Sequence, residues 1–324
     1  MGPLRLGTVL FVLILTLSAG VEEALAQGCS TPCVGPRRGS LMAVGGGTIP
    51  EDIYRRFLRM AGGPDARIVL IPTAGAEDGS HDAWTALERL RDAGARRIEV
   101  LHTRNRRIAD LEAFAGPLGD ASGVWISGGR QWRLSQVYLH TRTHQELQGV
   151  LDRGGVVAGN SAGASALASF LVRGARDTNE VLVEPENQEG FGFLRQVAID
   201  QHLMARGREN DLMELLRTHP QLLGLGLNEG GALIVTGDLA EVVGARVAVY
   251  DVTDPLHLLP LRWLAPGSVY DLGARTVILD GAEEPTPTEW PPTGSPPTGF
   301  PRTAPPADAL SSPDPASRAD PAPP

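Results

Sequence analysis

The residues best placed to do chemistry lie in Gly155-Val156-Val157-Ala158-Gly159-Asn160-Ser161-Ala162-Gly163-Ala164. An apolar run enters a Gly-x-Ser-x-Gly turn, and the small residues beyond it let a helix leave. Such a turn forces the serine into a strained backbone conformation that presents its hydroxyl, and the flanking glycines remove side chains that would clash. Ser161 is therefore a candidate nucleophile. A serine at its ordinary pKa attacks poorly, so a base must stand within hydrogen-bond reach. Seven histidines compete for that place. His81, His140, His144 and His219 have polar neighbours and read as solvated, while His102 and His257 follow apolar runs and fit either a strand end or a site. His202 stands apart: it closes Val197-Ala198-Ile199-Asp200-Gln201-His202, an apolar run ending in three polar groups, and Arg206-Gly207-Arg208 follows. Leu223-Gly224-Leu225-Gly226-Leu227-Asn228-Glu229 ends another apolar run on a carboxylate that could orient His202. Asp200, Asp177 and Glu180 are alternatives for that acid, and spacing alone leaves the choice open.

The elements that would carry these residues follow a simple rhythm. From Ser40 onward, short apolar runs alternate with helix-length amphipathic stretches, the pattern of a parallel sheet with helices on its faces. Strands are expected near 41–44, 67–72, 97–101, 123–127 and 155–158, with helices near 50–61, 81–94 and 130–151. The fold class expected is α/β, a Rossmann-like three-layer sandwich with a mostly parallel sheet. Beyond residue 222 the runs 223–227, 232–235, 240–243 and 246–252 leave no room for helices and predict an antiparallel extension on one edge. Gly45-Gly46-Gly47 lacks the spacing of a dinucleotide fingerprint and reads as a tight turn that permits close backbone approach.

The 324 residues carry 29 basic and 38 acidic side chains, a net charge of -9. That balance opposes nucleic-acid binding, which needs a concentrated positive stripe. All 29 basic residues are arginine, so Schiff-base chemistry, a phosphate-loop lysine and a Ser-Lys dyad are excluded. Residues 1–26 hold Arg5, the apolar run Val9 to Leu17 and Ala24-Leu25-Ala26, the pattern of a secretory leader cut after Ala26. The run is too short to span a bilayer. Cys29 and Cys33, the only cysteines, fall in a short linker over 27–39; in an exported chain they suit a local disulfide better than lipid attachment at Cys29 or nucleophilic chemistry. Residues 281–324 hold 14 of the 26 prolines and read as a disordered tail. The folded domain is expected over 40–280.

Together these motifs make the chain resemble the cyanophycinase family of serine peptidases, which also contains aspartyl dipeptidases. The resemblance covers residues 40–252 and rests on Val44-Gly45-Gly46-Gly47, Ile71-Pro72-Thr73-Ala74, Ser127-Gly128-Gly129-Arg130-Gln131, the turn from Asn160 to Ala164, Asp200-Gln201-His202 with Arg206-Gly207-Arg208, and Leu225 to Glu229. It implies Ser161 as nucleophile, His202 as base and Glu229 as orienting acid. Gly129 and Ala162 would supply oxyanion-hole amides, and Gln131, Asp200, Gln201, Arg206 and Arg208 would line the substrate site. The implied reaction cleaves cyanophycin, a poly-aspartate bearing arginine on each side-chain carboxylate, into β-aspartyl-arginine dipeptides. Two positions depart from the family pattern. Asp211 stands where a further arginine is frequent, and Arg130 where Asn or Asp is usual. On charge grounds Arg206 and Arg208 would hold carboxylates and Asp211 a guanidinium.

The expected function is thus an exported serine exopeptidase acting on cyanophycin. An acidic dipeptidase of the same family and an exported, non-catalytic binding protein are the alternatives. No cofactor, metal, nucleic acid or membrane span is expected; the partner is cyanophycin or an acidic peptide, and a homodimer is one assembly open to the chain.

Overall fold

The computed structural model describes residues 33–75, 81–253 and 260–281. The expected leader, Cys29, His257, the His81 side chain and the Pro-rich tail from 282 onward lie outside them. Fourteen strands and eight α-helices are found among the described residues. Five strands form a parallel core: β1 (Ser40–Val44), β2 (Arg67–Ile71), β3 (Arg97–Val100), β4 (Gly123–Ile126) and β5 (Val156–Asn160), ordered β1-β5-β4-β2-β3. Strands covered on both faces read as unbroken apolar runs. In β1, Leu41 and Ala43 enter one core and Met42 and Val44 the other. Helices α1 (Glu51–Met60) and α2 (His81–Asp92) follow β1 and β2, and the apolar residues of α1, Ile53 and Phe57 among them, join Met42, Leu70 and Trp125. Between β3 and β5 the chain forms α3 (Arg106–Ala109), α4 (Glu112–Gly119), α5 (Gln131–Tyr138) and α6 (Arg142–Asp152). Leu118, Leu134, Leu147 and Val150 from the last three pack with Val124 and Val157 in the other core.

A second sheet stands behind that core. After β5 come α7 (Ala162–Leu167), β6 (Ala168–Phe170), β7 (Leu194–Gln201), α8 (Asp211–Thr218) and β8 (Leu223–Leu227). Strands β6, β7 and β8 run parallel to one another. The remaining strands are β9 (Gly231–Thr236), β10 (Leu239–Gly244), β11 (Val247–Tyr250), β12 (Leu261–Leu264), β13 (Val269–Asp271) and β14 (Thr276–Leu279). The larger sheet runs β14-β13-β10-β9-β1-β5-β4-β2-β3 and the smaller β12-β11-β8-β7-β6. The α/β class and the antiparallel extension are as expected, but the extension does not keep to one edge. Strands β9 and β10 continue the larger sheet from β1, whereas β8 and β11 belong to the smaller. Alternation tells which face of a strand is buried and does not tell which strand lies beside it.

The register brings four strand ends level in two pairs. Val44 pairs with Asn160, so β1 and β5 end level, and Gln201 pairs with Leu227, so β7 and β8 do too. The turn after β1 links the two sheets: the Gly45 carbonyl accepts from the His202 amide (3.2 Å) and the Gly45 amide donates to the Gly231 carbonyl (2.9 Å). The segment before β1 is also fastened, since Arg195 Nε donates to the Cys33 carbonyl (2.6 Å) and the Val34 amide to Asp238 Oδ1 (2.7 Å). Cys33 itself is buried and disulfide-bonded.

Candidate active site

Ser161 sits between β5 and α7 with φ 52° and ψ -116°, a region that L-residues with a Cβ rarely enter. Packing explains the small residues around it. A Cβ on Gly159 would come within 2.8 Å of the Ala164 amide nitrogen, and one on Gly128 within 3.1 Å of Ser161 Cβ. The Ser161 amide donates to the Val44 carbonyl at 2.8 Å, fixing the elbow to β1. Its hydroxyl lies 2.8 Å from His202 Nε2, and His202 Nδ1 lies 2.5 Å from Glu229 Oε1. Of the four acids that spacing left open, Glu229 is the one on the imidazole. The Asp177 carbonyl accepts from Arg130 Nη2 (3.5 Å), the Glu180 side chain is 85% exposed, and Asp200 faces Arg173.

His202 is buried and, like Ser161, has a positive φ, 55°. Burial chiefly, with the Arg206 and Arg208 charges, holds its pKa below the usual 6.5 against the opposing pull of Glu229. The ring is thus neutral at neutral pH, the state in which Nε2 can take a proton. The glycine triplet lies flat against these groups. A Cβ on Gly46 (φ +92°) would stand 2.6 Å from His202 Cε1 and 3.0 Å from Ser161 Cβ, and one on Gly47 (φ +63°) would run into the Glu229 carboxylate. Gly46→Ala should therefore lose about 1–3 kcal/mol of stability from backbone strain and, by displacing the imidazole, at least a hundredfold in turnover. Gly62→Ala, at φ +107° with nothing within 4 Å, should lose stability alone. Thermal unfolding and turnover of both variants separate strain from the clash.

Ala162 opens α7 as its first helical residue, where an amide has no acceptor inside the helix. Gly129, at φ +135°, is pressed against Ala74 and Gly75. Gln131 is buried, its Nε2 donating to the Val172 carbonyl (2.9 Å), while its Oε1 and that of Gln201 are buried without a protein partner. Arg206 is exposed, with no ion pair among the described residues. Arg208 is 2% exposed, 3.6 Å from Asp200 Oδ1 and 3.2 Å from the Gln201 carbonyl. Asp200 is 0% exposed and held bidentately by Arg173, whose Nη2 also bonds Asp211 Oδ2 at 2.5 Å. Asp211, expected to meet the substrate's guanidinium, is bonded to Arg173 of the chain itself. Arg173 was not singled out from the sequence. His144, read as solvated, is instead packed against Phe191 and Phe193 and hydrogen-bonded to the Phe191 carbonyl (2.9 Å). His102, which fitted either a strand end or a site, has its Nδ1 3.0 Å from Thr73 Oγ1 and is not bonded to Ser161, His202 or Glu229.

The arrangement suits acyl transfer: a hydroxyl, a neutral base and an orienting carboxylate in hydrogen-bonded series. Residues 41–243 match the profile of peptidase family S51. The chain is similar to a cyanophycinase of Synechococcus elongatus, 32% identical over 266 residues that cover 74% of this chain and 81% of the relative. It is also similar to a peptidase E of Streptomyces coelicolor, 31% identical over 195 residues, 56% of this chain and 73% of that one. A peptidase from an acI-B1 Actinobacterium has the same fold, with a TM-score of 0.59 at 24% identity over 72% of this chain and 97% of its own.

Proposed function

The chain belongs to peptidase family S51, a family of serine peptidases, and on that premise we propose that it is an exported exopeptidase that hydrolyses cyanophycin to β-aspartyl-arginine dipeptides. The observation that carries the reading is the unbroken series from Ser161 Oγ through His202 to Glu229, at 2.8 and 2.5 Å. In it, Ser161 Oγ attacks the scissile carbonyl carbon as His202 Nε2 takes its proton, and Glu229 stabilises the imidazolium. The Gly129 and Ala162 amides receive the developing oxyanion. His202 then gives the proton to the leaving amine, and water, deprotonated by the same imidazole, releases the acyl group and restores Ser161.

Substrate groups of both signs find counterparts. Arg206, exposed beside the histidine, suits a carboxylate, and the unpartnered carbonyl oxygens of Gln131 and Gln201 suit a donor such as a guanidinium or an amide. A small acidic dipeptide is the second reading, favoured by the likeness to a peptidase E. Purified protein should clear a cyanophycin suspension and release β-aspartyl-arginine; efficient cleavage of α-aspartyl dipeptides without that product would replace the first reading by the second. Export rests on the composition of residues 1–26, and mass spectrometry of the mature N-terminus tests it: Gln27 is expected, whereas a diacylated Cys29 would make the protein a lipoprotein.

The histidine's surroundings set the pH dependence. Activity should be lost as pH falls through the pKa of His202, which lies below 6.5. Arg206→Gln removes a charge that lowers that pKa, so the acid limb of kcat/KM should move to higher pH. A limb that stays in place would remove Arg206 from the electrostatics of the base.

A further inference from the structure

Two buried arginines share one buried carboxylate, and they share it unequally. Arg173 is 1% exposed and adopts φ 57°, a costly conformation for a residue with a Cβ. Its guanidinium is saturated: Nε and Nη2 take Asp200 Oδ1 and Oδ2 at 2.9 and 2.8 Å, Nη2 also takes Asp211, and Nη1 donates to the Asn179 carbonyl at 2.8 Å. Arg208 is almost as deeply buried but has only the remainder. Its contacts are Asp200 at 3.6 Å, Glu180 at 3.8 Å, the Gln201 carbonyl at 3.2 Å and the same Asn179 carbonyl at 3.4 Å. Its Nε is buried with no partner. A buried charge so loosely compensated is costly, and a close carboxylate would remove the cost. Asp200 is near enough to be that carboxylate, but Arg173 holds it.

We propose that Arg173 is a positioning residue which, by monopolising Asp200, keeps Arg208 under-bonded and so available to a carboxylate of the substrate. The inference rests on the reading of Ser161, His202 and their surroundings as the peptidase site. It explains why an ion pair that apolar side chains could replace is built on Asp200, two residues from His202. Without Arg173, Asp200 turns to Arg208 and Arg208 is no longer open to the substrate, while Ser161 and His202 keep their geometry.

The test compares wild type, Arg173→Gln and Arg173→Gln/Asp200→Asn on a short soluble oligomer of β-aspartyl-arginine units, with its arginyl carboxylates free or esterified. A small neutral serine-directed phosphonate serves as a separate probe of the nucleophile. For Arg173→Gln, KM on the free-carboxylate oligomer should rise roughly tenfold or more, the scale of a lost charge-assisted contact. Its kcat, its KM on the ester and its rate of phosphonate labelling should stay within about threefold of wild type. The double variant removes the competing carboxylate, and its KM on the free-carboxylate oligomer should fall below that of Arg173→Gln. An unchanged KM, or a penalty equal on both oligomers with labelling lost and no recovery, reduces Arg173 to a structural ion pair. If Arg173→Gln does not fold, Arg173→Lys, which cannot hold Asp200 bidentately, should show a smaller KM rise confined to the free carboxylate; no rise overturns the proposal. Failure of wild type to be labelled at Ser161 counts against the peptidase reading itself, a distinct outcome.

Discussion

Ser161→Ala should fold like the wild type and lose between a thousandfold and a millionfold of its turnover, the range seen when a triad nucleophile is removed. Folding should survive because the hydroxyl has one polar contact, that with His202, and takes no part in the core. Alanine keeps the Cβ that already tolerates the strained turn at φ 52°. The amide bond from residue 161 to the Val44 carbonyl, which anchors the elbow, is untouched. Activity should fall because, among the described residues, no other hydroxyl is bonded to the imidazole: Ser127 and Ser165 are buried, each with an oxygen that has no partner. Turnover on cyanophycin, with unfolding temperature as the check on folding and phosphonate labelling as the check on chemistry, decides the matter. Wild-type turnover in the alanine variant would falsify the assignment of Ser161.

That residue was legible in the sequence because the demands on it are local and steric. An apolar strand, a serine at positive φ and glycines that let neighbouring backbone approach within a Cβ's width all fall inside ten residues. His202 and Glu229 were legible for a related reason. In a parallel sheet the interior of each strand is apolar, so a polar residue just past an apolar run marks the carboxyl end, where open α/β sheets keep their sites. The level ends of β7 and β8 then bring the two together.

Arg173 follows no such rule. It stands in Leu171-Val172-Arg173-Gly174 with no periodicity to mark it, and its partners are 27 and 38 residues away, on β7 and at the start of α8. Pairing of that kind exists only after the smaller sheet has assembled. The same distance hid the surroundings of His144, whose cover of Phe191 and Phe193 arrives from another part of the chain. Strands β12 and β14 are not legible in the sequence because they are short and largely uncovered, without the unbroken apolar run or clean alternation that marks a buried strand. The division of the late strands between two sheets escaped for the reason that alternation carries no information about neighbours.

Glu229→Gln should keep the fold and lower kcat about a thousandfold or more, since an orienting acid fixes the tautomer and supports the charge that forms on the base. The amide is isosteric with the carboxylate, and Glu229 is 41% exposed, so the substitution buries no new unpaired group. Two signs are expected together. Glu229 raises the pKa of His202 against burial and the arginines; its loss should move the acid limb of kcat/KM to lower pH, opposite to the shift expected for Arg206→Gln. A variant that loses rate without that shift has been damaged in another way. Asp200→Asn is a poor comparison for this purpose, because it strips the bidentate partner from a buried arginine and should cost about 3–5 kcal/mol in folding. Glu180→Gln is the cleaner control: its carboxylate is 85% exposed and 3.8 Å from Arg208, and its removal should leave kcat within a few-fold. If Glu229→Gln retains kcat within tenfold of wild type while Glu180→Gln does not, the acid of the triad lies in the 173–180 segment, and the 2.5 Å contact between Glu229 and His202 is structural.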